Sequence, residues 1–392
     1  MEETIRAAIF TDSIDEINGI AYSCKGLIDW VAATHLPLEL TFFSLSRRND
    51  PTHHDQAHVL RYRPHLAHAI PGYKEHTSGL LPKRRIRRDF EAGRFQVVHI
   101  LTPGVMANFG RDLAGQYGLP LVGTYFTRFP TFFREYASRL LPLPFLLRIF
   151  DRYAVGRMRK TYGPCDVVLC QAAGFLDEVR QFYSGDARLW TTGVDLKRFR
   201  PKDTGREFRR RHGVTARHVG LYVGRVALEK RLDVLIDLKR DLADLDLEIV
   251  IVGDGPYRPE LEKRFDAVFT GYLIDESLID AYSAADFFLF PSDTDAYGIV
   301  VMESLASGVP VIVNAASGGS ETVAACGAGF VYRQYPELVQ CTRRLCENDD
   351  ERRQLAQRGL DYARQHTWEQ SSLEILSVYR ELIARRAGEA RE

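Results

Sequence analysis

Residues 292–313 place two of their carboxylates, seven residues apart, around the start of a predicted helix that opens at a glycine. Asp295 precedes this predicted helix and Glu303 lies inside it, in the spacing D-x7-E, with Gly298 at the helix start. Carboxylates near a helix start can act simply as caps, because they satisfy free N–H groups and favour the helix dipole. The same N–H groups can bind a phosphate while the carboxylates accept hydrogen bonds from hydroxyl groups on either side. The pattern therefore predicts a site for a phosphorylated, polyhydroxylated ligand.

Two cations follow a predicted strand in the middle of the chain. Arg225 comes directly after HVGLYVG, and Lys230 is predicted at the start of the next helix. Cations at a helix N-terminus oppose the dipole unless an anion is bound between them, and an arginine fork with a lysine ammonium suits a diphosphate. Two solvated surface cations would explain this segment equally well if it stood alone.

A glycine loop follows the next predicted strand, with Gly253 and Gly255 on either side of Asp254. Glycines there allow the backbone to approach a ligand closely. A tight turn is the more frequent meaning of such a loop. The loop therefore supports a binding site only together with the cations and carboxylates described above.

Short apolar runs alternate with longer helical patterns along the whole chain. Continuous apolar runs separated by helices predict parallel sheets that are covered on both faces. The pattern restarts after the charged segment 191–214, so we predict an α/β protein with two Rossmann-like, doubly wound parallel-sheet domains. Ligands bind at the carboxyl ends of such strands, which places the predicted site in a cleft that the two domains face. The predicted strands are RAAIFTD, LELTFFSL, FQVVHILT, LPLVGTYF, CDVVLCQA, HVGLYVG, LEIVIVG, DAVFTG, DFFLFPS, VPVIVN and AGFVY.

Several predictions concern buried positions. We expect His99, Cys24 and Cys170 to be core residues rather than reactive groups. The last pattern of the chain predicts an amphipathic helix. Its apolar positions are Leu373, Ile375, Leu376, Tyr379 and Leu382.

The composition excludes several classes of function. The 392 residues carry 52 basic and 52 acidic side chains, a balance that favours no nucleic-acid partner. Six cysteines form neither a C-x-x-C pair nor a zinc spacing, which is typical of a reduced compartment. The acidic N-terminus and the lack of a membrane-length apolar run predict a cytoplasmic protein, with peripheral contact to the inner face of a membrane left open.

Together, the motifs of the second half resemble those of the retaining glycosyltransferases of family four, also called glycosyl transferases group 1. GRVALEKR, VGDGP, FTGYL, YSAADFFLFPS and DAYGIVVMESLASGVPVIV occur in order at the spacings of that family. The first half resembles the family more loosely, through EINGIA, VVHILTP, TYFTRFP and GVDLKRF. The resemblance implies the GT-B fold and transfer of a sugar from a nucleoside diphosphate donor with retention at the anomeric carbon. It implies no resident cofactor or metal.

The resemblance also implies a division of the chain. An acceptor-binding domain would span residues 1–195, joined by a final helix at about 372–392, and a donor-binding domain would span residues 196–371. Relatives with a similar first half often act on lipid or cell-envelope glycan acceptors, and a small-molecule acceptor stays open. The donor nucleotide is equally open among UDP, GDP, ADP and dTDP, since base contacts in this fold come largely from backbone and local loops.

By the same resemblance, Arg225 and Lys230 would act on the leaving diphosphate and Asp295 on hydroxyl groups of the transferred sugar. These three are the candidate catalytic residues, and Glu303 would hold the ribose. Stabilising the charge that builds on the diphosphate would meet much of the cost of breaking the C–O bond. The remaining donor-binding candidates are Asn18, Gly19, Gly253, Asp254, Gly255, Tyr272, Leu273, Ala296, Tyr297, Gly298, Ile299 and Val300.

Two positions depart from the family pattern. Asp295 is one methylene shorter than the usual glutamate, and Phe126 stands where relatives commonly carry a histidine beside the donor sugar, with Arg128 on the same segment. An apolar ring would suit a donor sugar without a C6 hydroxyl, such as a deoxyhexose or a pentose. The alternative is a nucleotide-sugar-binding partner subunit with little transferase activity. A sugar-nucleotide epimerase ranks below both, because the first half offers few acidic or histidine residues at strand ends.

Two surface segments bear on the acceptor. Residues 83–88 hold five cations around Ile86, and residues 131–160 interleave aromatics, leucines and arginines. Such a face could rest on anionic lipid, although a solvated helix face explains the charges as well. Six histidines between residues 53 and 76 predict a variable loop over the acceptor cleft. No metal site is predicted there, because no cysteine or carboxylate pattern accompanies the histidines.

Overall fold

The protein forms two compact units in the computed structural model. Unit 1 comprises residues 1–193 and 368–392, and unit 2 comprises residues 194–367. These divisions fall beside the boundaries expected from the sequence, at 195/196 and 371/372. The structure describes residues 3–12, 14–15, 19–34, 36–46, 51–54, 56–69, 77–126, 144–293, 295 and 298–389.

Strands and helices alternate along both units. The strands are β1 (Ile5–Thr11), β2 (Leu38–Leu45), β3 (Thr52–His54), β4 (Ala57–Tyr62), β5 (His65–Ala69), β6 (Thr77–Leu80), β7 (Val97–Ile100), β8 (Leu121–Tyr125), β9 (Val167–Cys170), β10 (Asp186–Leu189), β11 (His218–Val223), β12 (Leu247–Val252), β13 (Val268–Gly271), β14 (Phe287–Phe290), β15 (Val311–Asn314) and β16 (Gly329–Tyr332). The α-helices are α1 (Gly19–Ala33), α2 (Lys83–Gly93), α3 (Val105–Tyr117), α4 (Pro144–Tyr162), α5 (Ala173–Val179), α6 (Gly205–Arg211), α7 (Asp233–Asp241), α8 (Arg258–Leu261), α9 (Asp275–Ala284), α10 (Ile299–Ala306), α11 (Gly319–Cys326), α12 (Tyr335–Glu347), α13 (Asp349–Arg364) and α14 (Trp368–Glu389).

Each unit is built around one sheet. Unit 1 has the strand order β10-β9-β8-β7-β1-β2-β4-β3, parallel except for the antiparallel pair β3 and β4. Unit 2 has the order β13-β12-β11-β14-β15-β16, with all neighbours parallel. The central strands are mostly apolar, and all their residues except Arg6 of β1 are buried, as expected for sheets covered on both faces.

Every strand predicted from an apolar run is present, and five further strands were missed. These are β3 and β10 at the edges of the large sheet, β4 next to β3, and β5 and β6 in a separate hairpin. Edge positions face solvent on one side, so no continuous apolar run marks them: Asp186–Leu189 is partly exposed at every position. The prediction of a loop over the histidine-rich segment is therefore wrong for residues 52–54, 57–62 and 65–69, which form strands.

The final helix belongs to unit 1. Trp368 and Tyr379 are buried in the core of that unit, and the Trp190 indole N–H donates to the Ser371 carbonyl at 2.9 Å. Ile375, Leu376 and Leu382 are buried as predicted. The prediction that Leu373 is a core position is wrong, because 42% of this residue is exposed.

His99 is a core residue, as predicted. Its Nδ1 lies 2.7 Å from the Tyr379 hydroxyl, and its Nε2 lies 2.6 Å from the Thr124 hydroxyl. Burial lowers the pKa of His99 to about 3, because the charged imidazolium would lose its hydration. The ring therefore stays neutral and joins β7, β8 and α14. Cys24 and Cys170 are likewise buried and carry free thiols.

The basic segment forms helix α2. Ile86 and Phe90 are buried, while the cations of residues 83–88 are exposed. Its apolar face is thus already used inside unit 1. Across the described ranges, no helix combines the length and apolarity needed to cross a membrane.

Candidate functional site

The strand order of unit 2 reverses at β11, which has β12 on one side and β14 on the other. Crevices at such reversal points, outside the carboxyl ends of the strands, are the usual ligand sites of doubly wound sheets. Arg225 follows β11, and Asp295 follows β14. Two of the predicted catalytic residues therefore flank the reversal point.

The turns after β11 and β12 run against each other. The Gly224 N–H donates to the Val252 carbonyl at 3.0 Å, and the Val226 N–H donates to the Asp254 carbonyl at 3.0 Å. Gly253 has a φ of 137°, and a Cβ there would lie 1.9 Å from the Gly224 carbonyl oxygen. The glycine is therefore required by the neighbouring turn, a reason that the sequence pattern did not reveal.

Asp254 and Tyr272 connect the turn after β12 to the end of β13. The Asp254 carboxylate accepts the Gly255 N–H at 2.8 Å, and its carbonyl accepts the Tyr272 hydroxyl at 3.2 Å. Tyr272 directly follows β13, is 41% exposed, and is followed by Leu273. The turn after β12 is therefore fastened to the end of β13 beside the reversal point.

Both predicted diphosphate-binding cations are engaged by carboxylates. The Arg225 guanidinium pairs with Glu229, and the Lys230 Nζ lies 2.5 Å from the Asp295 Oδ1. Lys230 belongs to a 3-10 turn, Leu228–Lys230, while the next helix begins at Asp233. The prediction that Lys230 starts that helix is wrong, although the residue does meet the loop that carries Asp295.

A second ion pair joins the same two segments. The Arg231 Nη1 lies 2.6 Å from the Asp293 Oδ2. Arg231 has a φ of 55°, in the left-handed region that favours glycine. Neither residue was predicted as part of the site, although the charges that flank Lys230 and Asp295 in the sequence were a usable signal.

Asp295 uses only part of its hydrogen-bonding capacity. Its Oδ1 contacts Lys230, whereas its Oδ2 is buried and has no hydrogen-bond partner among the residues that the structure describes. Its backbone carbonyl accepts the Gly318 N–H at 2.9 Å, which ties this loop to the start of α11. Burial raises the pKa of the nearby Tyr222 hydroxyl well above its ordinary range, and the Asp295 and Glu229 carboxylates add to that shift.

Helix α10 opens at Gly298, as predicted. Gly298 has a φ of 72°, and a Cβ there would lie 3.2 Å from a Val301 methyl and 3.3 Å from the Phe290 ring. The first N–H groups of a helix, here from Ile299 and Val300, have no partners within the helix and favour an anion. The predicted phosphate cradle is therefore available at the carboxyl end of β14.

Glu303 lies one turn into the same helix. It is 3% exposed, and its Oε2 accepts the Tyr282 hydroxyl at 2.9 Å. Tyr282 is fully buried on α9 and was not identified from the sequence, because nothing local marks it as a partner of a residue 21 positions away. It orients the carboxylate assigned to the ribose.

The remaining candidates are dispersed. Gly19 is an exposed residue at the first position of α1 in unit 1. Phe126 is only 6% exposed and packs edge-to-face on Trp190, with ring centroids 6.3 Å apart, so its ring is part of the core of unit 1. Its effect on the donor sugar stays a prediction. Four candidates lie outside the described residues, namely Asn18, Arg128, Ala296 and Tyr297.

Two family models match successive parts of the chain. The model described as Glycosyltransferase Family 4 matches residues 17–198, and the model described as Glycosyl transferases group 1 matches residues 206–361. The chain belongs to the family-four glycosyltransferases. The second match contains Arg225, Lys230, Asp295 and Glu303, so the family assignment and the described site coincide in unit 2.

Relatives of this glycosyltransferase differ in the sugars that their names record. A sulfoquinovosyl transferase of Arabidopsis thaliana is 31% identical over 63% of this chain and 48% of its own length. A GDP-mannose-dependent alpha-mannosyltransferase of Mycolicibacterium smegmatis is 28% identical over 83% of this chain and 84% of its own. Among solved structures, a sucrose-phosphate synthase from Thermosynechococcus elongatus matches 97% of this chain and 100% of its own, with a TM-score of 0.78 at 19% identity. That likeness shows the GT-B fold.

Proposed function

We propose that this chain transfers a sugar from a nucleoside diphosphate donor to an acceptor hydroxyl, with retention at the anomeric carbon. The observation that carries the proposal is the 2.5 Å contact between Lys230 and Asp295 at the reversal point of unit 2. It brings a cation suited to a diphosphate and a carboxylate suited to sugar hydroxyls together from positions 65 residues apart. Membership of the glycosyltransferase family supports the same assignment.

In this proposal each charged side chain of the site binds one part of the donor during the transfer. The bond between the anomeric carbon and the diphosphate breaks while a bond to the acceptor oxygen forms on the same face of the sugar. The proton of the acceptor hydroxyl passes to the departing diphosphate. Arg225 and Lys230 stabilise the negative charge that builds on the diphosphate, assisted by the first N–H groups of α10. Asp295 holds hydroxyl groups of the sugar, and Glu303 holds the ribose. Alignment of the acceptor hydroxyl supplies much of the remaining rate enhancement.

We propose that these groups act without a resident metal or cofactor. In the described part of the chain, no cluster of three or more His, Cys, Asp or Glu side chains is placed to hold a metal ion. Arg225 and Lys230 would then neutralise the diphosphate in the role that a divalent cation takes elsewhere. Turnover that persists in EDTA would support this part of the proposal, and loss of turnover that Mg²⁺ restores would contradict it.

The acceptor is proposed only as a class, a lipid, a cell-envelope glycan or a small molecule, reached by a cytoplasmic enzyme. Contact with an anionic membrane through α2 would be purely electrostatic, because Ile86 and Phe90 are buried within unit 1. Such contact predicts sedimentation with anionic vesicles that high salt abolishes. Sedimentation that is indifferent to salt would contradict it.

Thermal unfolding against UDP, GDP, ADP and dTDP tests the donor site. A nucleotide at a concentration of a hundred times its Kd raises the free energy of unfolding of the unit that binds it by about 2.7 kcal/mol. Arg225→Ala should abolish the resulting shift in Tm. Arg264→Ala is the matched control, since Arg264 is an arginine of unit 2 that pairs with Asp233 outside the site, and its shift should be preserved.

The same assay separates the transferase from the alternative partner subunit. A nucleotide that shifts Tm, together with turnover of its sugar conjugate by the purified chain, supports the transferase. Tight nucleotide binding without turnover of any donor would favour the partner subunit. No shift with any of the four nucleotides would overturn the donor site itself.

A further inference from the structure

The candidate site of unit 2 is neutralised by its own side chains. Three neighbouring cations each hold a carboxylate: Arg225 pairs with Glu229, Lys230 with Asp295, and Arg231 with Asp293. A diphosphate that approached this site would therefore meet cations that already have anionic partners. Binding must replace at least one of these carboxylates, because a cation compensated by a carboxylate attracts a second anion only weakly.

Asp295 is the carboxylate best placed to be replaced. Its ion pair with Lys230 is partly accessible, with 16% of the lysine side chain and 25% of the aspartate side chain exposed. Its Oδ2 is buried without a hydrogen-bond partner in the described residues, which costs free energy in the state seen here. A diphosphate that takes the place of Asp295 keeps the Lys230 ammonium compensated, so the exchange leaves no uncompensated buried charge on the lysine. A donor group that satisfied both oxygens would favour a different position of the carboxylate.

Resting on the function proposed above, we propose that donor binding exchanges the partner of Lys230. The diphosphate takes the place of Asp295 at the lysine ammonium, and the released Asp295 carboxylate accepts hydroxyl groups of the transferred sugar. The exchange involves only ion pairs and hydrogen bonds, with no covalent step. One ion pair within the protein is thus replaced by one interaction with the diphosphate and one with the sugar.

The pair between Arg231 and Asp293 keeps the exchanging groups in place. It links the same two segments as the pair between Lys230 and Asp295, and it does so one and two residues away from them. A glycine would adopt the φ of 55° at position 231 without strain, whereas an arginine there adds a side chain that reaches the opposite loop. The segments therefore remain joined when Lys230 changes partner.

The exchange makes Asp295 a determinant of specificity between donor and product. A nucleotide sugar satisfies both Lys230 and Asp295. A nucleoside diphosphate without its sugar satisfies Lys230 but leaves the Asp295 carboxylate without a cation or a hydroxyl group. Asp295 thus disfavours the product nucleotide, returns to Lys230 after transfer and assists product release.

Calorimetric titration with four ligands tests this inference, namely GDP, UDP, GDP-mannose and UDP-glucose. We expect Asp295→Asn to bind the free nucleotide about two- to fivefold more tightly than the unmodified chain, because Lys230 no longer has a competing anion. We expect the same variant to bind the corresponding nucleotide sugar at least about tenfold more weakly, because hydrogen bonds from the sugar to a charged group are lost. The two affinities should therefore move in opposite directions.

Asp293→Asn is the matched control. It removes the same charge from the same loop, two residues away, but it leaves the pair of Lys230 and Asp295 intact. Equal tightening of free nucleotide by both variants would overturn the inference in favour of general charge repulsion. Asp295→Ala repeats the test without the asparagine amide of the first variant. Its Tm in the absence of ligand shows whether the substitution impairs folding.

The outcomes also separate this inference from the proposed function. If no nucleotide binds the unmodified chain, the proposed donor site fails, and the exchange fails with it. If nucleotides bind but Asp295→Asn does not tighten them, the donor site stands and the exchange is wrong. Opposite changes for nucleotide and nucleotide sugar, confined to Asp295, would establish the exchange.

Discussion

Each sheet reverses its strand order at a central strand, β1 in unit 1 and β11 in unit 2, and an aspartate follows a strand beside each of these reversal points. In unit 1, Asp12 follows β1, is 6% exposed, and accepts the Met106 N–H at 3.0 Å and the Thr102 hydroxyl at 3.1 Å. In unit 2, Asp295 follows β14, contacts Lys230 through one oxygen, and has its other oxygen without a hydrogen-bond partner in the described residues. One carboxylate is satisfied by the fold itself, and the other is only half satisfied.

The difference shows how one architecture supports two roles. A buried carboxylate that caps a helix contributes to stability and cannot change partners without a large cost, because each lost hydrogen bond leaves a buried group unpaired. An ion pair that a ligand can reach is able to change partners, provided that the ligand compensates the charge that is left. A carboxylate beside the reversal point is therefore structural in unit 1 and is proposed to bind substrate in unit 2.

The most direct test of this contrast removes the two aspartates in turn. Asp12→Ala should lower the free energy of unfolding of unit 1 by about 1–3 kcal/mol, because the Met106 N–H loses its partner. Asp295→Ala should lower that of unit 2 by less, because the Lys230 ammonium keeps partial access to water. Urea unfolding measured by tryptophan fluorescence reports unit 1, which contains all three tryptophans, and hydrogen exchange reports unit 2. Equal losses would contradict the contrast.

A second prediction uses the neutral, buried His99 of unit 1. Its folded pKa of about 3 lies below the ordinary value of 6.5, so the unfolded chain binds a proton that the folded unit does not. His99 should therefore leave the free energy of unfolding unchanged above pH 6.5. As the pH is lowered from 6.5 to 3, the free energy of unfolding should fall by about 1.4 kcal/mol for each pH unit.

The control for this pH dependence is His99→Gln, which has no titrating ring at that position. Fluorescence-detected unfolding at pH 7, 6 and 5 should give a steeper decline for the unmodified chain than for the variant. Parallel declines would mean that His99 accepts a proton in the folded unit. Water would then have access to a ring that the structure places in the core of unit 1.

The smallest expected effect is that of Arg231→Gly in unit 2. Loss of the ion pair with Asp293 costs about 0.2–1 kcal/mol, and relief of the left-handed backbone offsets a similar amount. The free energy of unfolding should therefore change by less than about 1 kcal/mol, as measured by hydrogen exchange. Arg94→Gly is the control, because Arg94 has a φ of 48° but lies in unit 1. A large loss in Arg231→Gly alone would assign Arg231 a structural role.

The local patterns of the sequence were sufficient for the two-domain division and the central strands, but not for the edge strands and the separate hairpin of unit 1. Apolar runs marked the central strands, and the stretch from Asp295 to Glu303 marked a helix that opens at Gly298, because burial on both faces and a positive φ each restrict residue type locally. The donor-site residues that follow strands were recognisable for the same reason: strand ends in parallel sheets converge on one edge.

Tertiary structure alone decided which groups meet. It paired Lys230 with Asp295 and Glu303 with Tyr282, buried Phe126 beside Trp190, and placed a carbonyl where Gly253 would carry a Cβ. Such contacts join positions tens of residues apart, and their geometry depends on how strands and turns pack rather than on any local spacing. The sequence by itself therefore determined the elements and the kinds of charge at their ends, whereas the packing of those elements determined which charge each one faces.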